Sequence, residues 1–271
     1  MTSRVLIIAG SDSGGGAGIQ ADIKTVTALG GFAATAVTAI TVQDTRGVHA
    51  VEAVADDIIR QQIDVVIGDI GTDCIKIGMI GSRGAGEVIV AALRRHPGIP
   101  VVLDPVLVAT SGDALGDTGV ADLLKTELLP LASVVTPNVP ELEALTGVPI
   151  ANERALAAGA EALIRSGARA VLAKGGHREG PTITDLLVTE DEAIRIEHER
   201  LETRHTHGTG CTLASAVATG LAQGMDLAAA TERATRYVEA AIRYAPGLGK
   251  GHGPLCHALR SDEDGSFRPI A

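Results

Sequence analysis

The segment best suited to chemistry is His205-Thr-His-Gly-Thr-Gly-Cys211, which comes directly before an alanine-rich helical pattern. Gly208 and Gly210 have no side chains, so backbone N–H groups can converge at the start of the helix, where the helix dipole adds partial positive charge. Such a cradle stabilises an anion, for example a phosphoryl group in transfer. The same position predicts a lowered pKa for the Cys211 thiol. A glycine turn before a buried cysteine is the purely structural alternative.

A second glycine-rich segment, Gly10-Ser-Asp-Ser-Gly-Gly-Gly-Ala-Gly18, lies between the first strand pattern and the first helical pattern. Strand-to-helix turns of this kind are where α/β proteins admit ligands. The segment fits neither G-x-G-x-x-G nor G-x-x-x-x-G-K-[ST], so the sequence supports neither a dinucleotide fold nor a Walker-type NTPase. Asp22, one turn into the following helix, either points back at a polar ligand or is a solvated carboxylate.

Polar residues follow three further strand patterns. Asp104 follows one apolar run, Lys174 follows another, and Thr136-Pro-Asn-Val-Pro-Glu141 follows a third. Asn138 and Glu141 are three residues apart, which suits the first turn of a helix, and their oxygens suit Mg²⁺, often through water. An asparagine in this place also serves as a helix N-cap. Together the three strand ends predict a metal–phosphate site.

Short apolar runs alternate with helical patterns along most of the chain, which predicts an α/β layered domain around a mostly parallel sheet. The predicted strands are Val5–Ala9, Cys74–Ile77, Val101–Leu103, Ser133–Val135 and Ala170–Ala173. The predicted helices are Gly18–Leu29, Asp56–Ile67, Gly84–Arg95, Val120–Leu128, Pro140–Leu145, Arg154–Ser166, Gly210–Gln223 and Leu227–Tyr244.

Two strand pairs interrupt this alternation, and each predicts an antiparallel hairpin at a sheet edge or in a small flap. They are Phe32–Thr41 with Val48–Val54, and Ile183–Val188 with Ala193–Glu199. No linker composition divides residues 1–260, so we predict one domain, followed by a loose tail at residues 261–271.

The composition excludes several classes of function. With 33 acidic and 23 basic residues, the net charge is −10, and aromatic residues make up 1%, which argues against nucleic acid as a partner. The sequence has neither a secretory signal nor an apolar span of about 20 residues, so no membrane partner is expected. Three cysteines without a CxxC pair indicate a reducing compartment, and we predict the cytoplasm. His205-x-His207 lacks a third ligand nearby, so no zinc or iron site is expected.

Several motifs carry a resemblance to a known family. In chain order they are Ile8–Asp22, Lys76–Met79, Leu103–Val106, Thr136–Asn138, Lys174–His177, His205–Cys211 and Gly251–Pro254. Together they closely resemble the hydroxymethylpyrimidine/phosphomethylpyrimidine kinases of thiamine biosynthesis, in the ribokinase-like superfamily. The resemblance implies a Rossmann-like three-layer α/β/α sandwich with a small β-flap, usually as a homodimer. It also implies ATP- and Mg²⁺-dependent phosphorylation of 4-amino-5-hydroxymethyl-2-methylpyrimidine and then of its monophosphate.

The resemblance assigns one group of residues to the pyrimidine. Gly10, Asp22 and Gln43 stand where the family holds this substrate, and Met79 and Val106 line the same pocket. Gln43 suits an aminopyrimidine edge because an amide both donates and accepts hydrogen bonds. Many members of the family have glutamate at this position.

A second group is assigned to phosphoryl transfer. Cys211 stands where ribokinase has its aspartate base, and a thiolate there would accept the hydroxymethyl proton. Positioning and charge stabilisation matter more than a strong base in phosphoryl transfer, so a cysteine suits the role. The remaining assignments are the Gly208, Thr209, Gly210 and Cys211 amides for the phosphoryl charge, Lys174 and Asn138 for ATP phosphates, Thr206 and Thr209 beside the nucleotide, and Asp104, Asn138 and Glu141 for Mg²⁺.

Three other functions compete with this interpretation. The nearest is a pyridoxal kinase, because the superfamily includes vitamin B6 kinases with this cysteine. A cysteine hydrolase would pair Cys211 with His205 or His207 and would need no nucleotide. A non-catalytic binding module would not require Asp104, Glu141, Lys174 and Cys211 together.

Overall fold

The computed structural model describes residues 2–107, 118–176 and 180–270, and within them the main sheet has nine strands. The strands are β1 Arg4–Asp12, β2 Phe32–Asp44, β3 Gly47–Ala53, β4 Cys74–Ile77, β5 Val101–Leu103, β6 Val134–Val135, β7 Ala170–Ala173, β8 Thr182–Thr189 and β9 Ala193–Glu199. Their order is β3-β2-β1-β4-β5-β6-β7-β8-β9. The six central strands are parallel to one another: β2, β1, β4, β5, β6 and β7. The outer strands β3, β8 and β9 pair antiparallel. Both predicted hairpins are therefore confirmed, one at each edge.

Helices cover both faces of the sheet. They are α1 Gly18–Ala28, α2 Asp56–Val65, α3 Arg83–Arg95, α4 Thr118–Leu123, α5 Val139–Thr146, α6 Glu153–Arg165, α7 Thr209–Ala222 and α8 Leu227–Arg243. Single π-helical turns, Val66–Ile70 and Leu124–Leu128, extend α2 and α4. In the part of the chain that the structure describes, no helix has the length and apolar character to cross a membrane.

Alternation along β1 creates the two hydrophobic layers. Val5 and Ile7 pack with residues of α1, α7 and α8, whereas Leu6 and Ile8 pack with residues of α2, α3, α5 and α6. All four side chains have no solvent exposure. Burying each contributes about 1.5–3 kcal/mol, so the apolar run predicted as a strand fixes both layers. The predicted three-layer α/β/α sandwich is confirmed.

The prediction of a loose tail was wrong. Leu259–Ser261 and Phe267–Pro269 form a small antiparallel hairpin, β10–β11. Phe267 is buried and its ring meets Tyr237 of α8 edge to face, with ring centroids 5.2 Å apart. One aromatic side chain thus anchors a segment whose composition is otherwise polar.

Candidate active site

The carboxyl ends of the parallel strands and the first turn of α7 line a cavity of about 740 Å³. Because the ends of parallel strands share one sheet edge, residues far apart in sequence meet there. The predicted site residues in its lining are Gly10, Gln43, Met79, Asp104, Val106, Asn138, Glu141, Lys174, Thr206, Gly208, Thr209, Gly210 and Cys211. Of the residues predicted, Asp22 alone is outside this lining.

The two glycine-rich segments pack directly against each other. Gly208 precedes α7 with a φ of +86°, and a Cβ atom there would lie 1.8 Å from the carbonyl oxygen of Gly16. A Cβ atom on Gly16 would lie 2.5 Å from Cδ2 of His207. The backbones can approach this closely only because both residues are glycine. The first glycine-rich segment, Gly10–Gly18, therefore positions the start of α7.

Asp12 organises the first glycine-rich segment, a role that its sequence motif did not indicate. Its buried carboxylate accepts hydrogen bonds from the backbone N–H groups of Gly14, Gly16 and Ala17 at 2.8–3.0 Å, and His207 Nε2 lies 2.9 Å away. Burial acts to raise the pKa of Asp12, but the hydrogen bonds from His207 and the backbone bring it below its ordinary value. Because Asp12 occupies these three amides, the first glycine-rich segment shapes the cavity but does not present these N–H groups to it.

Lys174 brings positive charge to the start of α7. Its Nζ lies 3.2 Å from Asp104 Oδ1 and 3.9 Å from Glu141 Oε2, and a Cβ atom on Gly210 would lie 3.2 Å from it. Burial acts to lower the pKa of Lys174, but Asp104 and Glu141 raise it above its usual value, so the ammonium persists. Burial raises the pKa of Glu141 to about 7 against the opposing effect of Lys174.

Asn138 and Glu141 form a capping box at the start of α5. Glu141 N–H donates to Asn138 Oδ1 at 2.9 Å, and Asn138 N–H donates to Glu141 Oε2 at 2.8 Å. The N-cap alternative for Asn138 is therefore confirmed. Among the described residues, no group of three or more His, Cys, Asp or Glu side chains is arranged to hold a metal ion.

Cys211 lies in the first turn of α7, half-buried in the cavity wall. Burial raises the pKa of its thiol to about 12, although the Lys76 ammonium acts in the opposite direction. The predicted lowering of this pKa was wrong. Desolvation and the nearby carboxylates of Asp22 and Asp104 outweigh the attraction of Lys76.

Asp22 lies below the cavity, and this placement corrects the prediction that it contacts the pyrimidine. It has no solvent exposure, and its oxygens accept hydrogen bonds from Lys76 Nζ at 2.8 and 2.9 Å and from Ser215 Oγ at 2.7 Å. Ser215 is one turn after Cys211 on the same face of α7. Burial alone would lower the pKa of Lys76, but Asp22 raises it above its usual value. Asp22 therefore holds a buried ammonium in place beneath Cys211.

The predicted pyrimidine residues come together beside the β2–β3 hairpin. A Cβ atom on Gly10 would lie 3.0 Å from Met79 Sδ, so the glycine leaves room for the methionine in the wall. Gln43 Oε1 lies 3.1 Å from Thr41 Oγ1, and Gln43 Nε2 lies 3.5 Å from His207 Nε2. These contacts join the flap to the loop before α7.

The two histidines required by the hydrolase hypothesis have other contacts. His207 pairs with Asp12, and His205 packs against Gly253, where a Cβ atom would lie 2.2 Å from its Nδ1. Thr209 Oγ1 donates to the carbonyl oxygen of Thr206 at 2.7 Å, which closes the turn into α7. His177, part of one family motif, lies outside the described residues.

Comparisons with known proteins agree with this geometry. The sequence profile of the phosphomethylpyrimidine kinase family matches residues 12–256. The chain is 51% identical to the hydroxymethylpyrimidine/phosphomethylpyrimidine kinase of Rhizobium meliloti, covering 96% of this chain and 98% of the relative. It is 48% identical to a thiamine biosynthesis bifunctional protein of Geobacter sulfurreducens, with 96% of this chain and 53% of the relative covered. A solved pyridoxal kinase–ADP complex from Bacillus subtilis superposes with a TM-score of 0.88 at 32% identity, over 95% of this chain and 98% of that one.

Proposed function

Since the chain belongs to the phosphomethylpyrimidine kinase family, we propose that it phosphorylates 4-amino-5-hydroxymethyl-2-methylpyrimidine and then its monophosphate, using ATP, for thiamine biosynthesis. One observation of the structure carries the proposal. A single cavity contains an amide-bearing wall at Gln43 and, at the start of α7, the Lys174 ammonium with Gly210 and Cys211. An aminopyrimidine needs hydrogen-bonding groups such as the Gln43 amide, a triphosphate needs positive charge and free N–H groups, and the transfer reaction needs both in one cavity.

The residues at α7 account for the chemistry. The alcohol oxygen forms a bond to the γ-phosphorus of ATP, the bond from phosphorus to the ADP oxygen breaks, and the alcohol proton passes to the Cys211 thiolate. The amides of Gly208, Gly210 and Cys211, with Lys174, would face the charge of the phosphoryl oxygens, whereas the Thr209 N–H donates to the Thr206 carbonyl oxygen at 3.3 Å. The thiolate that accepts the proton is the minor form of Cys211, because burial raises the pKa of the thiol to about 12, so charge stabilisation must contribute most to the rate.

The carboxylates around Lys174 suit magnesium. Asp104 and Glu141 are hard oxygen donors beside the proposed phosphate position, and a divalent cation would favour the ionised form of Glu141, whose pKa burial raises to about 7. Asn138 and Glu141 already use oxygens in the capping box, so water-bridged binding fits them best. When bound, Mg²⁺ would neutralise phosphate charge.

The direct test is ADP release from ATP with the pyrimidine alcohol present and absent. We expect release that requires the alcohol and is lost without Mg²⁺. The pyridoxal kinase similarity makes pyridoxal the competing substrate. A kcat/KM for pyridoxal more than about tenfold above that for the pyrimidine, equivalent to about 1.4 kcal/mol, would reverse the assignment.

Replacing Lys174 with alanine should weaken ATP binding. The loss of a charge-assisted contact of about 1.5–3 kcal/mol corresponds to a rise of about 10- to 100-fold in the KM for ATP. Steady-state kinetics with ATP varied measures this change, and calorimetry should show unchanged pyrimidine affinity. Lys250→Ala, at an exposed lysine, is the matched control. An unchanged KM for ATP in Lys174→Ala would contradict the phosphate role.

We propose that the chain forms a homodimer through the β2–β3 hairpin. Ile40 and Val42 alternate on one face of β2 and are 54% and 57% exposed, although both are large and apolar. β3 is the edge strand, so a second copy of the hairpin can cover this face. Light scattering should give twice the chain mass of 27.6 kDa, and Val42→Asp should give the single-chain mass. A monomeric wild-type protein would contradict this proposal.

We propose the cytoplasm as the location. Cys74, Cys211 and Cys256 are all free thiols in the structure. A free Cys211 in the cavity is needed for the proposed proton transfer, and reducing compartments keep thiols in this state.

A further inference from the structure

A chain of polar contacts connects the Gln43 carboxamide with Thr41, His207 and Asp12. Thr41 Oγ1 lies 2.9 Å from the carbonyl oxygen of Ser11 and 3.1 Å from Gln43 Oε1. The Gln43 Nε2 atom lies 3.5 Å from His207 Nε2, which lies 2.9 Å from Asp12 Oδ2. Thr41, His207 and Asp12 are all buried, so their donors and acceptors are satisfied mainly by one another. The donors and acceptors of this chain must therefore match.

The histidine end of the chain has a fixed proton. Asp12 is ionised at neutral pH and can only accept, since three backbone N–H groups already donate to it. His207 Nε2 must therefore carry the hydrogen and donate it to Asp12. A nitrogen that donates in this way cannot accept from the amide nitrogen of Gln43, so an amide nitrogen facing His207 sets two donors against each other.

The contact with Thr41 favours the same orientation of the Gln43 amide. The Thr41 hydroxyl has one hydrogen, and the nearer acceptor is the Ser11 carbonyl oxygen. Once that hydrogen is used, Thr41 Oγ1 can only accept from Gln43. The two ends of a carboxamide have nearly the same size and are distinguished by their partners. Both neighbours therefore favour the amide nitrogen of Gln43 toward Thr41 and its oxygen toward His207.

We propose that Thr41 and His207 are positioning residues that hold the Gln43 carboxamide in this one orientation and so decide which pyrimidine edge the cavity accepts. The inference rests on the proposed function. The outer edge of the fixed amide presents one donor and one acceptor in a set order. A 4-aminopyrimidine presents an amino donor beside the N3 acceptor, whereas its 4-oxo analogue presents an oxygen acceptor beside an N3 donor. Reversal of the amide would exchange the preference between them.

Thr41→Val tests the proposal because it removes the hydroxyl and keeps the shape of the side chain. Calorimetry without nucleotide should show that the wild type prefers the amino alcohol over the 4-oxo analogue by about 100-fold or more. In the variant we expect affinity for the amino alcohol to fall about tenfold and the preference to fall below about tenfold, because the amide loses one of its two orienting partners and is held by His207 alone. The KM for ATP should stay unchanged.

Thr41→Ser is the matched control, since it keeps the hydroxyl and should restore the wild-type preference. A packing defect would weaken both pyrimidines equally, so an unchanged preference in Thr41→Val would overturn the proposal. Its failure is distinct from failure of the proposed function, because a wild-type protein that neither binds nor phosphorylates the amino alcohol would refute the function itself. Circular dichroism melting of both variants verifies that they are folded.

Discussion

Replacing Cys211 with serine is expected to lower kcat by about 100-fold or more, the usual contribution of a positioned base, and to leave pyrimidine affinity within about threefold. Cys211 lines the cavity in the first turn of α7, next to the amides proposed to hold the phosphoryl group. The substitution changes the proton acceptor and keeps a small polar side chain there. Single-turnover phosphoryl transfer measures the chemical step, and calorimetry measures binding.

The pH profile supplies a second readout for Cys211. Because burial raises the pKa of its thiol to about 12, the thiolate fraction increases with pH throughout the working range. Wild-type kcat should therefore rise between about pH 8 and 10, and this rise should be absent in Cys211→Ser. Cys256→Ser, at another half-buried free thiol, should keep both the rate and the slope. Equal turnover in wild type and Cys211→Ser would remove the cysteine as the base.

Gly208→Ala is expected to abolish most activity and to destabilise the fold. The added Cβ atom would lie 1.8 Å from the Gly16 carbonyl oxygen and 2.8 Å from its carbon, so backbone must move. The φ of +86° adds about 1–2 kcal/mol and the overpacking about 1–3 kcal/mol to the loss of unfolding free energy. Displacing even one amide that faces the phosphoryl charge lowers kcat about 100-fold or more. Urea unfolding and steady-state kinetics measure the two effects.

Gly224→Ala provides the matched control for this substitution. Gly224 follows α7 with a φ of +81°, but a Cβ atom there would meet nothing within 4 Å. The free energy of unfolding of this variant should therefore fall only by the cost of the left-handed backbone, about 1–2 kcal/mol, and kcat should stay at the wild-type value. If Gly208→Ala behaved like Gly224→Ala in both assays, the close approach of the two glycine-rich segments would have no role in catalysis.

The sequence predicts the fold well because local patterns encode it. The apolar runs Cys74–Ile77, Val101–Leu103 and Ala170–Ala173 are strands with those same bounds. An uninterrupted apolar run satisfies two covering layers at once, which is why it indicates a parallel strand. The acidic composition of the tail misled the prediction, because a single buried aromatic ring at Phe267 outweighs its polar neighbours.

The membership of the candidate site is also largely visible in the sequence. Glycine-rich turns and polar residues at strand ends must gather at one sheet edge, whatever their spacing along the chain. Gln43, Lys174 and Cys211 do line one cavity. Asp12 and His207 stand within motifs that the sequence displays, yet their pairing joins residues 195 positions apart, and nothing local indicates it.

What the sequence by itself determined is the strands and helices of the three-layer sandwich, though not the β10–β11 hairpin, and the group of residues brought to the cavity, since hydrophobic periodicity and strand polarity follow from neighbouring residues. Only the tertiary structure decided the surroundings of each polar group: the pairing of the Lys76 ammonium with Asp22, the raised pKa of Cys211, and the contacts of the Gln43 amide with Thr41 and His207. Desolvation, charge and hydrogen-bond direction depend on atoms contributed by distant segments. Such quantities exist only once the chain has folded.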